Sequence, residues 1–228
     1  MQRLSTRSIQ PLIKKQPANV TKGCDPKSRM SREKIIREAA RLFAFRGVRA
    51  ISMLDVAMQC RNKPGELKLH FATKRSLVAA IIDDFIQHHE RHLRCNPRLS
   101  PDVHYEIRNF FQLIEQAVET FNPVFLWEIK KYYKPQRRKM TAFKEQRMIP
   151  YLNDVIRRGV QQGYYVLAND HLYAEVYFIT LNEIITCPLP VNIIGAVQAM
   201  NTMFYNGIVR TGIVCSAGTF IPAIRNGE

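Results

Sequence analysis

The side chains of this 228-residue chain best suited to chemistry are groups that hold phosphates and read bases rather than groups that break bonds. Ser52, Lys63, Lys68, His70 and Lys74 supply hydroxyl, ammonium and imidazole groups, and Pro64, Gly65 and the acid Glu66 stand among them. A lysine meets a phosphate as a point charge, while a carboxylate accepts a hydrogen bond from a cytosine amino group. Glu66 has a second reading, as the third residue of a short helix whose start it would cap. A separate cluster, His88, His92 and Cys95, falls at i, i+4 and i+7 and could share one helix face around a metal such as zinc. The competing reading is a solvated helix end where cations suit the dipole. That reading is adopted, so neither a metal nor a cofactor is expected. His88-His89-Glu90-Arg91-His92 is not a His-Glu-x-x-His motif, and the chain has no Gly-rich phosphate loop and no Gly-x-Ser-x-Gly. No catalytic residue is expected, and an enzyme is the weakest reading.

Charge places the polyanion-facing surface at one end. Residues 1–80 hold 18 Lys/Arg against 5 Asp/Glu, and residues 81–228 hold 16 against 14. A basic end on a near-neutral body suits nucleic acid better than an anionic membrane. Residues 1–30 carry seven Lys/Arg and one acid, Asp25, without an apolar period, as a disordered basic tail does. Met30 looks like a natural start, which would make the residues before it a mis-assigned extension. Five cysteines, widely spaced and without a Cys-x-x-Cys pair, fit a reduced cytoplasmic protein without disulfides. The uncharged stretch Ile184 to Val209 is interrupted by Pro188, Pro190, Asn192, Gln198, Asn201 and Asn206, so a buried helical interface is expected there and a membrane span is not.

The elements that must position the phosphate-holding residues follow from apolar spacing. Ser31 caps a helix carrying Ile35, Ile36, Ala39, Leu42 and Phe43 inward, which Gly47 stops. Ser52 and Asp55 form a Ser-x-x-Asp capping box for a short second helix, and Pro64 opens a third of one to two turns. Thr73 caps a fourth helix with Leu77, Ile81, Ile82, Phe85 and Ile86 inward. Two short helices behind a packing helix make a helix-turn-helix, whose second member enters the major groove.

Arg32-Glu33-Lys34-Ile35-Ile36, Ala39-Ala40, Leu42-Phe43, Gly47, Ser52, Val56-Ala57, Gly65, Leu67, His70-Phe71, Lys74 and Leu77 together resemble the N-terminal signature of the tetracycline-repressor (TetR) family. The resemblance implies an all-α homodimer: a three-helix DNA-binding head joined by the fourth helix to a larger ligand-binding and dimerising body. The boundaries expected are 1–30 for the tail, 31–75 for the head and 76–228 for the body. Ser52, Lys68 and Lys74 would hold phosphates, and Lys63, Glu66 and His70 would face base edges or neighbouring backbone, around Pro64 and Gly65. The chain departs from the family at Arg61 and Asn62 in the turn and at Lys68, where the family usually has Tyr. Arg61 in a left-handed turn costs roughly one kcal/mol.

Further helices are expected from Tyr105 to Phe121, Val124 to Tyr133, Arg137 to Gln162, from Asn169 and from Asn192, with Asn96 to Asp102 as a loop. Phe125-Leu126-x-x-Ile129-Lys130-Lys131-Tyr132-Tyr133 followed by Gly159-x-x-x-Gly163 also resembles a subset of TetR-like bodies. Tyr105, Phe110, Phe111, Phe121, Phe125, Trp127, Tyr151 and Tyr177 are the candidate lining of a cavity for an apolar or aromatic effector, each also readable as ordinary core. Leu172, Val176, Ile179 and Ile184 are expected inward on the penultimate helix. Ile194, Val197, Asn201, Phe204 and Ile208 form the stripe expected at a two-fold, four-helix dimer interface. The expectation is a ligand-responsive transcriptional regulator, acting as a repressor on a near-palindromic site in double-stranded DNA. The alternative is a dimeric module whose divergent head binds protein or binds DNA without sequence preference.

Overall fold

The computed structural model describes residues 31–61, 63–167, 169–187 and 192–209; the basic tail, Asn62, Pro188 and Pro190 lie outside the described residues. The described residues form helices α1 (Arg32–Arg46), α2 (Met53–Gln59), α3 (Pro64–His70), α4 (Lys74–Leu99) and α5 (Val103–Thr120). They continue with α6 (Pro123–Tyr132), α7 (Lys134–Phe143), α8 (Ile149–Gln161), α9 (Asp170–Thr186) and α10 (Ile193–Ile208). No strand occurs among the described residues, only an isolated antiparallel bridge between Tyr165 and Val209. No described helix is long and apolar enough to cross a membrane.

Local chemistry fixes most helix ends. Ser31, Asp102 and Asn122 accept from the amides of Lys34, Tyr105 and Phe125, and Pro123 opens α6 where its missing amide costs nothing. α7 runs into α8 through a π turn, Lys144–Met148, just before Pro150. The single helix expected from Arg137 thus starts earlier and is interrupted, because the Pro150 ring removes a ladder bond and crowds the carbonyl four residues back, and an extra residue per turn relieves that. Gly163, at φ 76°, ends the run. Gly159 instead makes room for a ring, since Tyr165 lies where its Cβ would be, 2.0 Å from the nearest ring carbon.

The expected loop at Asn96 is helix instead, with Pro97 inside α4. Asn96 is buried and donates to the Glu106 carbonyl (2.8 Å) and the Tyr151 hydroxyl (2.7 Å), while accepting from Ser100 and Asn109. Those tertiary bonds outweigh what Pro97 removes. The same network continues through Glu106, which accepts from Tyr151 and from Arg158 at 2.8 Å each, tying α4, α5 and α8 together.

Two cores result. Ile107, Phe110, Leu152, Val155, Tyr177 and Val197 centre the body. Ile35, Phe43, Val56, Leu67, Leu77 and Ile81 centre the head, and Phe121, Phe125 and Ile129 are packed into that same head core. α4 and α6 therefore belong physically to both parts.

Beyond Ile194, the predicted dimer stripe points the other way. Val197, Asn201 and Ile208 are buried in the body core, with Phe204 packed against it. Asn201 accepts from Tyr177 (2.8 Å) and donates to Glu115 (2.7 Å). On α9 the inward residues are Tyr173, Ala174, Tyr177, Phe178 and Leu181, while Leu172, Val176 and Ile179 face outward, Ile179 at 62% exposure. Ile194 and Met203 are the exposed large apolar residues of α10. Both helices are apolar nearly all round, so spacing could not say which stripe the monomer uses.

Candidate nucleic-acid interface and the cavity behind it

The helix-turn-helix is held by short-range bonds. The Ser52 hydroxyl accepts from the Asp55 amide (3.1 Å), and the Asp55 carboxylate accepts from the Ser52 amide (2.7 Å) and hydroxyl (2.6 Å). These bonds from Ser52 hold the Asp55 carboxyl below its ordinary value. Arg61 takes the left-handed turn, with φ 53°. α3 buries Leu67 and exposes Lys63, Pro64, Gly65, Glu66, Lys68, Leu69 and His70.

The eight expected DNA-facing residues divide into two groups. Lys63, Glu66, Lys68 and His70 make no side-chain hydrogen bond or ion pair among the described residues, and Lys63 caps α3 without a side-chain bond. Glu66 therefore does not cap α3. Nothing lies within 4 Å of a Cβ built on Gly65, so internal packing does not require a glycine there. Pro64 is the first residue of α3 and is exposed beside it.

Ser52 and Lys74 are occupied. The Lys74 ammonium donates to the carbonyls of Ile51 (2.7 Å) and Val48 (2.8 Å), with the Arg49 carbonyl at 3.5 Å. Three acceptors match its three donors, so this charge ties the first turn of α4 to the α1–α2 connection. Sequence position alone places it on a phosphate.

Leu69, 77% exposed, is a residue that the sequence reading does not single out. It lies two residues from buried Leu67, about 200° away around the helix, which points it outward. Leu54 and Met58 on α2 are exposed as well.

The head is joined to the body through α6. Gly47 ends α1 at φ 80°, a conformation only glycine takes without strain, and the chain then passes under α6. There the buried Glu128 carboxylate accepts the amide of Val48 and, at 3.0 Å, that of Arg49. Arg49 also stacks on Tyr132 and donates to its hydroxyl at 3.1 Å. No apolar periodicity marks Glu128, since its partners are backbone groups 80 residues away.

Behind α6 lies a cavity of about 1130 Å³. Of the eight aromatics expected to line it, Phe121 and Trp127 do so. Phe125 stacks on Phe121 inside the head core, and Tyr177 stacks on Phe111 in the body core. Tyr151 is held by Glu106 and Asn96, and burial pushes its hydroxyl pKa upward; Tyr105 lies under the Arg108 guanidinium. The lining instead uses Phe85, which spacing marks only as inward, together with Ile114, Val118, Phe143, Phe178 and Leu181. His89 borders it too; burial lowers its pKa to about 4, its Nδ1 pairs with the Phe85 carbonyl at 2.8 Å, and its Nε2 has no partner. No group of three metal-ligating side chains occurs among the described residues, and Cys60, Cys95 and Cys187 are free thiols.

Residues 35–81 match the profile of bacterial regulatory proteins, tetR family. No curated protein sequence matches the chain. Among solved structures, the TetR family transcriptional regulator PfmR from Thermus thermophilus is 23% identical, with a TM-score of 0.58 over 78% of this chain and 100% of that one. A TetR family transcriptional regulator from Agrobacterium tumefaciens is 18% identical, with a TM-score of 0.66 over 78% and 97%. The transcriptional regulator FadR from Bacillus subtilis, solved with stearoyl-CoA, is 13% identical, with a TM-score of 0.56 over 78% and 100%.

Proposed function

We propose, from a chain whose head is of the tetR family and whose helices take that family's fold, a cytoplasmic ligand-responsive repressor that binds a near-palindromic site in double-stranded DNA as a homodimer. The observation that carries this reading is α3: apart from Leu67 its side chains are exposed, and Lys63, Glu66, Lys68 and His70 have no internal hydrogen-bond or ion-pair partner among the described residues. Lys68 supplies phosphate charge, and Lys63, Glu66 and His70 supply donors and an acceptor for base edges. Gly65 allows close approach of a backbone that nothing inside the chain crowds.

Dimerisation uses the outward faces of α9 and α10, where Leu172, Val176, Ile179, Ile194 and Met203 are exposed. Two such faces make a four-helix interface in which one patch serves twice. A ligand in the cavity touches α6, and α6 carries Glu128 and packs Phe125 and Ile129 into the head. A ligand that favours wrongly spaced heads shifts the population off DNA, and DNA weakens ligand binding by the same factor. The stearoyl-CoA seen with the Bacillus subtilis regulator supports a ligand-binding role for a body of this fold.

Selection of bound sequences from random DNA tests the reading. The expected outcome is an enriched near-palindrome with half-sites about one helical turn, or a multiple, apart. Exposed Leu54, Met58 and Leu69 favour a second reading, in which the head contacts protein or holds DNA without preference. That reading gives no enrichment, equal affinity for all sequences and a steep salt dependence.

A further inference from the structure

Lys130, Lys131, Arg137 and Lys144 all border the 1130 Å³ cavity, and no described Asp or Glu does. None of the four has an ion-pair partner among the described residues; the Lys131 ammonium instead lies 4.5 Å from the centre of the Trp127 ring. The rest of the wall is largely apolar: Ile114, Val118, Phe143, Met148, Phe178 and Leu181. The neighbouring 740 Å³ cavity between head and body differs, since Glu33, Asp84 and Glu119 share it with Arg37 and Arg41. Like charges left unopposed beside an apolar wall favour an occupant that brings a negative charge at one end and hydrocarbon at the other.

We propose that this cavity binds an anionic amphiphile, its carboxylate or phosphate head among Lys130, Lys131, Arg137 and Lys144 and its alkyl chain against Ile114, Val118, Phe143, Met148, Phe178 and Leu181. The proposal names the ligand class of the site described under the proposed function and rests on that reading for its regulatory meaning. The volume exceeds the roughly 300–1,000 Å³ usual for a compact ligand, which suits a long chain.

The only tryptophan in the sequence, Trp127, borders the cavity and reports occupancy directly. The full-length protein is titrated, without DNA, with laurate, dodecyl phosphate, dodecanol and dodecyltrimethylammonium, following Trp127 emission and heat. At least one anion saturates one site per chain, binds roughly tenfold or more tighter than dodecanol and weakens with salt. The tighter of the two anions identifies the head group. The combined Lys130→Gln, Arg137→Gln variant loses roughly tenfold in anion affinity and keeps its dodecanol affinity. Equal or tighter binding of dodecanol or of the cationic amphiphile overturns the proposal, as does anion affinity unchanged in the variant. Since no DNA is present, failure here leaves the DNA-binding reading standing, and failure of sequence selection leaves the ligand class standing.

Discussion

Replacing Glu128 with Ala removes the acceptor that holds the α1–α2 connection against α6. Two backbone amides lose a charged partner, and each such bond is worth about 1.5–3 kcal/mol in general. The two losses are unequal. Val48 is fully buried, so its amide goes unsatisfied, whereas Arg49 is exposed and its amide can turn to water. A total of about 2–4 kcal/mol follows, and for a chain of this size each kcal/mol moves the melting temperature by about 2–4 °C. Thermal unfolding followed by circular dichroism should place Glu128→Ala about 5–15 °C below the wild type. Glu128→Gln keeps an oxygen acceptor without the charge and should fall between the two. Gly47 gives an independent check on the same contact: a Cβ there strains a backbone at φ 80° and stands 3.1 Å from Glu128 Oε2 and 3.2 Å from Val124 Cγ1. Gly47→Ala should therefore destabilise as well. A Glu128→Ala variant melting within about 2 °C of wild type would falsify the view that this carboxylate joins head to body.

The two lysines of the head should separate by assay. Lys68→Ala lowers DNA affinity and reduces the salt slope by about one, while Lys74→Met lowers melting temperature through loss of the Val48 and Ile51 bonds and leaves the slope alone; the reverse pattern refutes both assignments. Ile179→Asp, on the outward face of α9, should convert dimer to monomer in sedimentation, whereas Asn201→Leu should cost stability by stripping partners from Tyr177 and Glu115. Stability should also fall on acidification. Burial lowers the His89 pKa from 6.5 to about 4, so between those values the unfolded chain binds a proton that the folded chain refuses. Its contribution, about 3 kcal/mol, is fully present above pH 6.5 and is lost as pH falls towards 4, with His92 and His104 shifted the same way by burial. His89→Leu should narrow the difference in melting temperature between neutral and acidic buffer, and an unchanged difference removes His89 from the account.

The amino-acid sequence by itself determined the helices of the head, because their starts and stops depend on residues three or four positions apart: Ser31 with Lys34, Ser52 with Asp55, Thr73 with Ser76. It also determined that α3 presents Lys63, Glu66, Lys68 and His70, since a helix that short can bury little beyond Leu67. Tertiary structure decided everything that turns on which of two apolar faces is covered. Asn96 and Pro97 joined a helix because partners on α5 and α8 reward it. Val197 and Asn201 went into the core while Ile179 and Met203 stayed outside, and the Lys74 ammonium found carbonyl partners more than 20 residues away. Phe125 and Trp127 lie two positions apart on α6, yet one packs into the head and the other borders the cavity. Helix periodicity separates those directions but does not say what waits in each, because that depends on chain segments distant in sequence that approach only after folding.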